Sequence, residues 1–188
     1  MTTEQLPEFS RLVSIGDIQA HGLDLSIEAR PDECEKLRLR FGLVGLDGLK
    51  AQLRLTQSTN GLYCLEGRLQ SEVTQTCVVT LEPVKNTINV GISRTYGEGD
   101  ALQAALESLE SEIDLDFEAE DEPDAIENGV IDVGEAVAEE LALSLDPFPR
   151  KPGASLENTP YAGSDGAEGK PNPFAALSKL RDKLDKKV

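Results

Sequence analysis

Leu65-Glu66-Gly67-Arg68-Leu69-Gln70-Ser71-Glu72-Val73-Thr74-Gln75-Thr76-Cys77-Val78-Val79-Thr80-Leu81 is the longest regular pattern in the chain. Leu65, Leu69, Val73, Cys77, Val79 and Leu81 occupy odd positions, and the even positions from Glu66 to Thr76 are mostly polar. A period of two sends alternate side chains to opposite faces, so the run reads as a strand with one buried face. No strong turn signal interrupts it. At about 3.3 Å per residue the run would span roughly 55 Å, too long for a flat strand in a small domain, and a bend or bulge near Gly67 or Ser71 is expected. Glu82-Pro83 marks the turn, and Val84, Ile88, Val90 and Ile92 alternate along a partner strand to about Tyr96.

Toward the N-terminus the same period recurs. Leu23, Leu25, Ile27 and Ala29 alternate with Asp24, Ser26 and Glu28, and Leu49, Ala51, Leu53 and Leu55 alternate with Lys50, Gln52, Arg54 and Thr56. Between them Pro31 suits a first helical position, and Asp32 and Glu33 suit the positive end of the helix dipole. Cys34, Leu37 and Phe41 share one face, which predicts a short helix over about 31–41. With a first strand around Phe9 to Ile15, these elements predict an α+β domain: a mostly antiparallel bent sheet with two or three packed helices.

Toward the C-terminus the texture changes after Tyr96. Residues 97–128 are rich in Glu, Asp and Ala and read as a mobile acidic segment, with one short strand where Ile113, Leu115 and Phe117 alternate with acids. Asp132-Val133-Gly134-Glu135 resembles a capping box opening a helix to Ser144, with Val133, Ala136, Val137 and Leu141 inward. Pro147 and Pro149 stop it. The reading divides the chain into one α+β domain (1–149), a flexible linker (150–171) and a C-terminal amphipathic basic helix (172–188). Asn172 serves that helix as N-cap and Pro173 as first residue; Phe174, Leu177, Leu180 and Leu184 form one side, with Lys179, Lys183, Lys186 and Lys187 near the end. The stripe suits packing on the protein's own sheet or docking on another macromolecule. No internal repeat is present.

The chain has 188 residues and a net charge of −17, from 18 Lys+Arg against 35 Asp+Glu. The charge is concentrated: residues 95–149 hold 18 acidic groups and no basic one, while 150–188 hold 8 basic and 5 acidic. Such a chain repels polyanions at long range, which disfavours nucleic-acid binding through a broad basic surface; the acidic block suits basic partners. No apolar run approaches the roughly 20 residues of a membrane helix, and Met1 to Pro7 lacks the regions of a secretory signal. Three cysteines are odd in number and agree with a reducing compartment. A cytoplasmic location is expected.

Candidate chemistry is sparse. His21 is the single histidine, with no companion in sequence for a triad or metal centre. Cys77-Val78-Val79-Thr80 offers one thiol, and Cys64 lies about 40 Å away if the intervening run is one strand. Asp114, Asp116, Glu118 and Glu120 do not meet the spacing of a calcium loop. Gly42, Gly45 and Gly48 lie between helix and strand, the reverse of the order that places phosphate on a helix N-terminus. Ser155 and Ser164 have no base or glycine elbow. These residues predict no enzyme, no cofactor, no metal and no small-molecule substrate, and point to function through contacts. The contact residues expected are Asn172, Pro173, Phe174, Leu177, Lys179 and Leu180.

Three segments carry a family resemblance: Thr76 to Val84; Gly129-Val130-Ile131-Asp132-Val133-Gly134-Glu135 continuing through Leu145 to the proline-rich exit; and Lys170-Pro171-Asn172-Pro173-Phe174 through Leu180. In order and spacing they resemble the bacterial YceD proteins, also called large ribosomal RNA subunit accumulation proteins. The resemblance implies a non-enzymatic cytoplasmic factor for 23S ribosomal RNA accumulation in large-subunit biogenesis, with ribosomal RNA or a large-subunit ribosomal protein as partner. Thr80 stands where the family often has a second cysteine, which weakens any expectation of metal there. The competing reading is a structural zinc or thiol regulatory module with a degenerate cysteine knuckle.

Overall fold

The computed structural model describes residues 7–111 and 122–155. Four antiparallel strands form its centre: β2 (Leu23–Glu28), β3 (Gly45–Gln57), β4 (Tyr63–Thr76) and β5 (Pro83–Gly97). A short β6 (Asp124–Ala125) adds to β5 in parallel, giving the order β2-β3-β4-β5-β6. A second, two-stranded sheet pairs β1 (Leu12–Ser14) with β7 (Val130–Asp132). Among the described residues three α-helices complete the α+β architecture: α1 (Pro31–Arg40), α2 (Gly99–Ser111) and α3 (Val133–Leu143).

The alternation in β4 does what its period requires. Leu65, Leu69 and Val73 are buried together with Leu49, Ala51, Leu53 and Leu55 of β3 and Ile88 and Ile92 of β5. Each such Leu contributes about 2 kcal/mol by leaving water. Leu37 of α1 and Val133, Val137 and Leu141 of α3 belong to the same core, so both helices cover that face of the sheet. The other face carries Lys50, Arg54, Glu66, Gln70 and Glu72 to solvent.

α1 begins and ends as its residues dictate. Pro31 opens it, the Glu33 carboxylate accepts from the Arg30 N–H at 2.8 Å, and Arg38 and Arg40 stand in the last turn. The Leu43 N–H donates to the Arg38 carbonyl at 2.9 Å and the Gly42 N–H to the Leu39 carbonyl at 3.3 Å, which closes the helix in a Schellman motif.

Several expectations need correction. The strand expected to reach Leu81 ends at Thr76, because Cys77 to Glu82 turn the chain, with Leu81 at φ 60°. The irregularity expected in β4 lies on its partner: Gly48 and Leu49 of β3 together oppose Ser71, while β4 pairs without a shift at Gly67. Gly48 has φ 64°, the left-handed geometry of a glycine bulge, and the Ser71 hydroxyl donates to the Asp47 carbonyl at 3.3 Å across it. The first strand is shorter than Phe9 to Ile15 and joins β7 rather than the large sheet. Helix α2 occupies the start of the segment read as mobile. Leu102, Ala105 and Leu106 recur there at helical spacing, a pattern that the density of acids around it obscures. The strand expected at Ile113 to Phe117 lies outside the described residues.

Candidate functional site

Two loops meet at the end of the sheet where β4 passes into β5: the turn Cys77 to Glu82, and the exit of α3 from Asp146 to Lys151. Their backbones are joined directly, the Val78 N–H donating to the Pro149 carbonyl at 2.9 Å. Gln75 Nε2 donates to the Asp146 carbonyl at 2.9 Å, and Lys151 Nζ pairs with Glu82 at 2.9 Å. Asp146 also accepts from the Phe148 N–H through its side chain, which fixes the first proline-flanked residue in place.

Cys77 sits at the base of this junction with no exposed surface. Its sulfur accepts from three backbone N–H groups, those of Val79, Thr80 and Lys151, each at 3.4 Å. The Thr80 hydroxyl beside it, then the Lys151 N–H, lower the thiol from its ordinary range to about 6. Thr80 Oγ1 itself is enclosed without a hydrogen bond of ordinary geometry. A single cysteine thus ties one loop to residues 74 positions away.

The junction does not fit a metal. It offers one thiol, and among the described residues no three His, Cys, Asp or Glu side chains group as ligands. Cys64 is the second residue of β4 and Cys77 follows its end, so the two cannot share an ion. All three cysteines are free.

The surface of the junction is apolar. Val78, Leu81 and Phe148 are 47%, 65% and 68% exposed on two loops that are bonded to each other. Arg150 and Lys151 border them. Sequence reading placed Cys77 and the proline-rich exit in separate segments and assigned neither as a contact site. What brings the two together is the β4-to-β5 turn.

The polar junction at the other side of the core is closed. Asp132 Oδ1 caps α3, accepting from Gly134 and Glu135 N–H groups, and also accepts from the Arg11 N–H at 2.7 Å. The capping box expected there is half formed, because Glu135 pairs with Arg40 at 2.9 Å. A Cβ on Gly134 would lie 2.7 Å from both Arg11 N and Phe9 O, so glycine is what lets β1's approach pass across the helix start. Arg11 forks onto Glu33 at 2.8 and 2.9 Å, and that contact, ahead of the Arg30 N–H, holds the buried Glu33 carboxyl down to about 2.

A family model described as large ribosomal RNA subunit accumulation protein YceD matches residues 65–181, more than half of the chain. The chain belongs to the YceD family. No curated protein and no solved structure matches it. The YceD match begins with β4 and takes in the Cys77 turn, α3 and the proline-rich exit, so both loops of the apolar junction fall within it. The family's name ties it to the accumulation of large-subunit ribosomal RNA. The expected contact residues, Asn172, Pro173, Phe174, Leu177, Lys179 and Leu180, lie outside the described residues. No helix among the described residues is long and apolar enough to cross a membrane.

Proposed function

We propose that this YceD protein is a non-enzymatic, cytoplasmic accessory factor of large ribosomal subunit biogenesis, supporting 23S rRNA synthesis, processing or accumulation by binding ribosomal RNA or a large-subunit ribosomal protein. The observation that carries the reading is the exposed apolar junction of Val78, Leu81 and Phe148, held rigid by internal bonds and lying inside the family match. A rigid apolar surface with a basic border is suited to recognition, since little ordering entropy is lost on binding. The acidic block shields a basic ribosomal protein or excludes wrong RNA contacts, while the junction and the segment from Asn172 to Leu184 dock.

Gradient profiles and 23S levels in a deletion strain test this. Depleted large-subunit particles are expected, restored by the intact gene and poorly by a Phe148→Ser gene. Unchanged particles and unchanged 23S levels would overturn it. Crosslinking in cells separates an RNA partner from a protein one. The competing zinc or thiol module predicts stoichiometric metal in the purified protein, for which Cys77 has no set of companion ligands among the described residues.

A further inference from the structure

We propose that residues 172–188 of the same chain cover the apolar junction of Val78, Leu81 and Phe148 when no partner is bound. The chain leaves the described body at Ser155, just past the turn in which the Ala154 N–H donates to the Lys151 carbonyl. Lys151 is itself hydrogen-bonded to Cys77 and Glu82, so the departing chain is fixed beside the surface in question. Residues 156–171 connect the two, and 16 residues of Gly/Ser/Pro-rich sequence give a root-mean-square reach of about 20–24 Å on random-coil statistics. A tether of that length sets an effective concentration on the order of millimolar, above that of any second copy in dilute solution.

The chemistry of the segment matches. Phe174, Leu177, Leu180 and Leu184 recur at the spacing of one helix face, an apolar pattern suited to an apolar surface. Residues 172–188 hold 5 basic and 2 acidic groups, whereas 95–149 hold 18 acidic and no basic ones. Amphipathic docking of an apolar stripe is an ordinary way for a helix to settle on such a surface. The intramolecular contact does not depend on the ribosomal role; only its use as a cover that a ribosomal partner displaces rests on that reading.

The full-length protein carrying a photo-crosslinking phenylalanine analogue at position 148, and separately at position 81, tests the contact. Irradiation is expected to join either position to a peptide within 172–188 of the same chain, at monomer mass. The yield is expected to hold across about tenfold dilution and to fall at least about fivefold with Leu177→Asp and Leu180→Asp. Products joining two chains that fade on dilution would show that a second copy is the occupant and overturn the proposal. So would the absence of any product with 172–188 from both positions. Hydrogen exchange of the amides from Val78 to Leu81 gives an independent reading: faster exchange in the Leu177→Asp chain supports the cover, and unchanged exchange opposes it. A failed crosslink leaves the deletion-strain phenotype untouched, so the two proposals fail separately.

Discussion

The junction around Gly134 and the junction around Cys77 are built from the same parts and left in opposite states. Each joins the start or end of α3 to a distant loop through a side chain that gathers backbone N–H groups: Asp132 takes those of Arg11, Gly134 and Glu135, and Cys77 takes those of Val79, Thr80 and Lys151. The first is sealed, with Phe9 buried beneath it and the Arg11 guanidinium 4.6 Å above the Phe9 ring. The second turns Val78, Leu81 and Phe148 outward. Equal local definition therefore does not mean equal purpose. One region's bonds close the core, and the other's present a surface.

The comparison breaks most readily at Gly134. Gly134→Val drives a side chain into the backbone at Phe9 and Arg11 and is expected to cost more than about 3 kcal/mol, read by chemical denaturation. A stable Gly134→Val protein would mean that the N-terminal strand is not seated as described. Acid comes next. Glu33 is depressed from 4.5 to about 2, so its stabilisation is fully present above pH 4.5 and lost as pH falls toward 2. That depression bounds the effect at about 3 kcal/mol, and the partial exposure of the arginines lowers it to about 2 kcal/mol. Arg11→Met should flatten this part of the stability profile.

Asp132→Ala removes a cap shared by three N–H groups and is expected to cost about 1–2 kcal/mol, with exchange rising first in β1 and the start of α3. Cys77→Ala should act locally instead, raising exchange at Val79, Thr80 and Lys151 together while the β4 core stays protected. Because the thiol is lowered to about 6, its stabilisation is present above pH 9 and lost as pH falls through 6; thiolate absorbance should show that midpoint. Phe148→Ser is expected to change stability by less than about 0.5 kcal/mol, since its ring is exposed. If Phe148→Ser also leaves large-subunit particles intact in cells, the open junction loses its distinction from any other loop.

Much of the large sheet was legible before the structure. The period of two in Leu23 to Ala29, Leu49 to Leu55 and Leu65 to Val73 records burial on one face, and burial is a local demand on each residue. What failed were places where local preference and long-range contact disagree. Cys77-Val78-Val79-Thr80-Leu81 continues the alternation, yet the turn wins because the Cys77 N–H and sulfur find partners in Glu82 and in Lys151. Gly48 gave no sign that it would carry the bulge expected near Ser71, since register is settled between strands. Helix α2 escapes a sequence reading because the acids that follow it set the texture of the whole 97–128 segment.

By itself the sequence determined the alternating strands, the limits of α1, the cap at Asp132, the charge partition and the membership of the YceD family, because each is written in the order of neighbouring residues. Only the tertiary structure decided that β1 leaves the main sheet, that Gly134 must lack a side chain, and that the Cys77 turn and the Pro147 to Lys151 exit form one exposed surface. Those outcomes depend on which backbone groups meet across separations such as the 74 residues between Cys77 and Lys151. No local pattern encodes a meeting of that kind; it follows from closing the core.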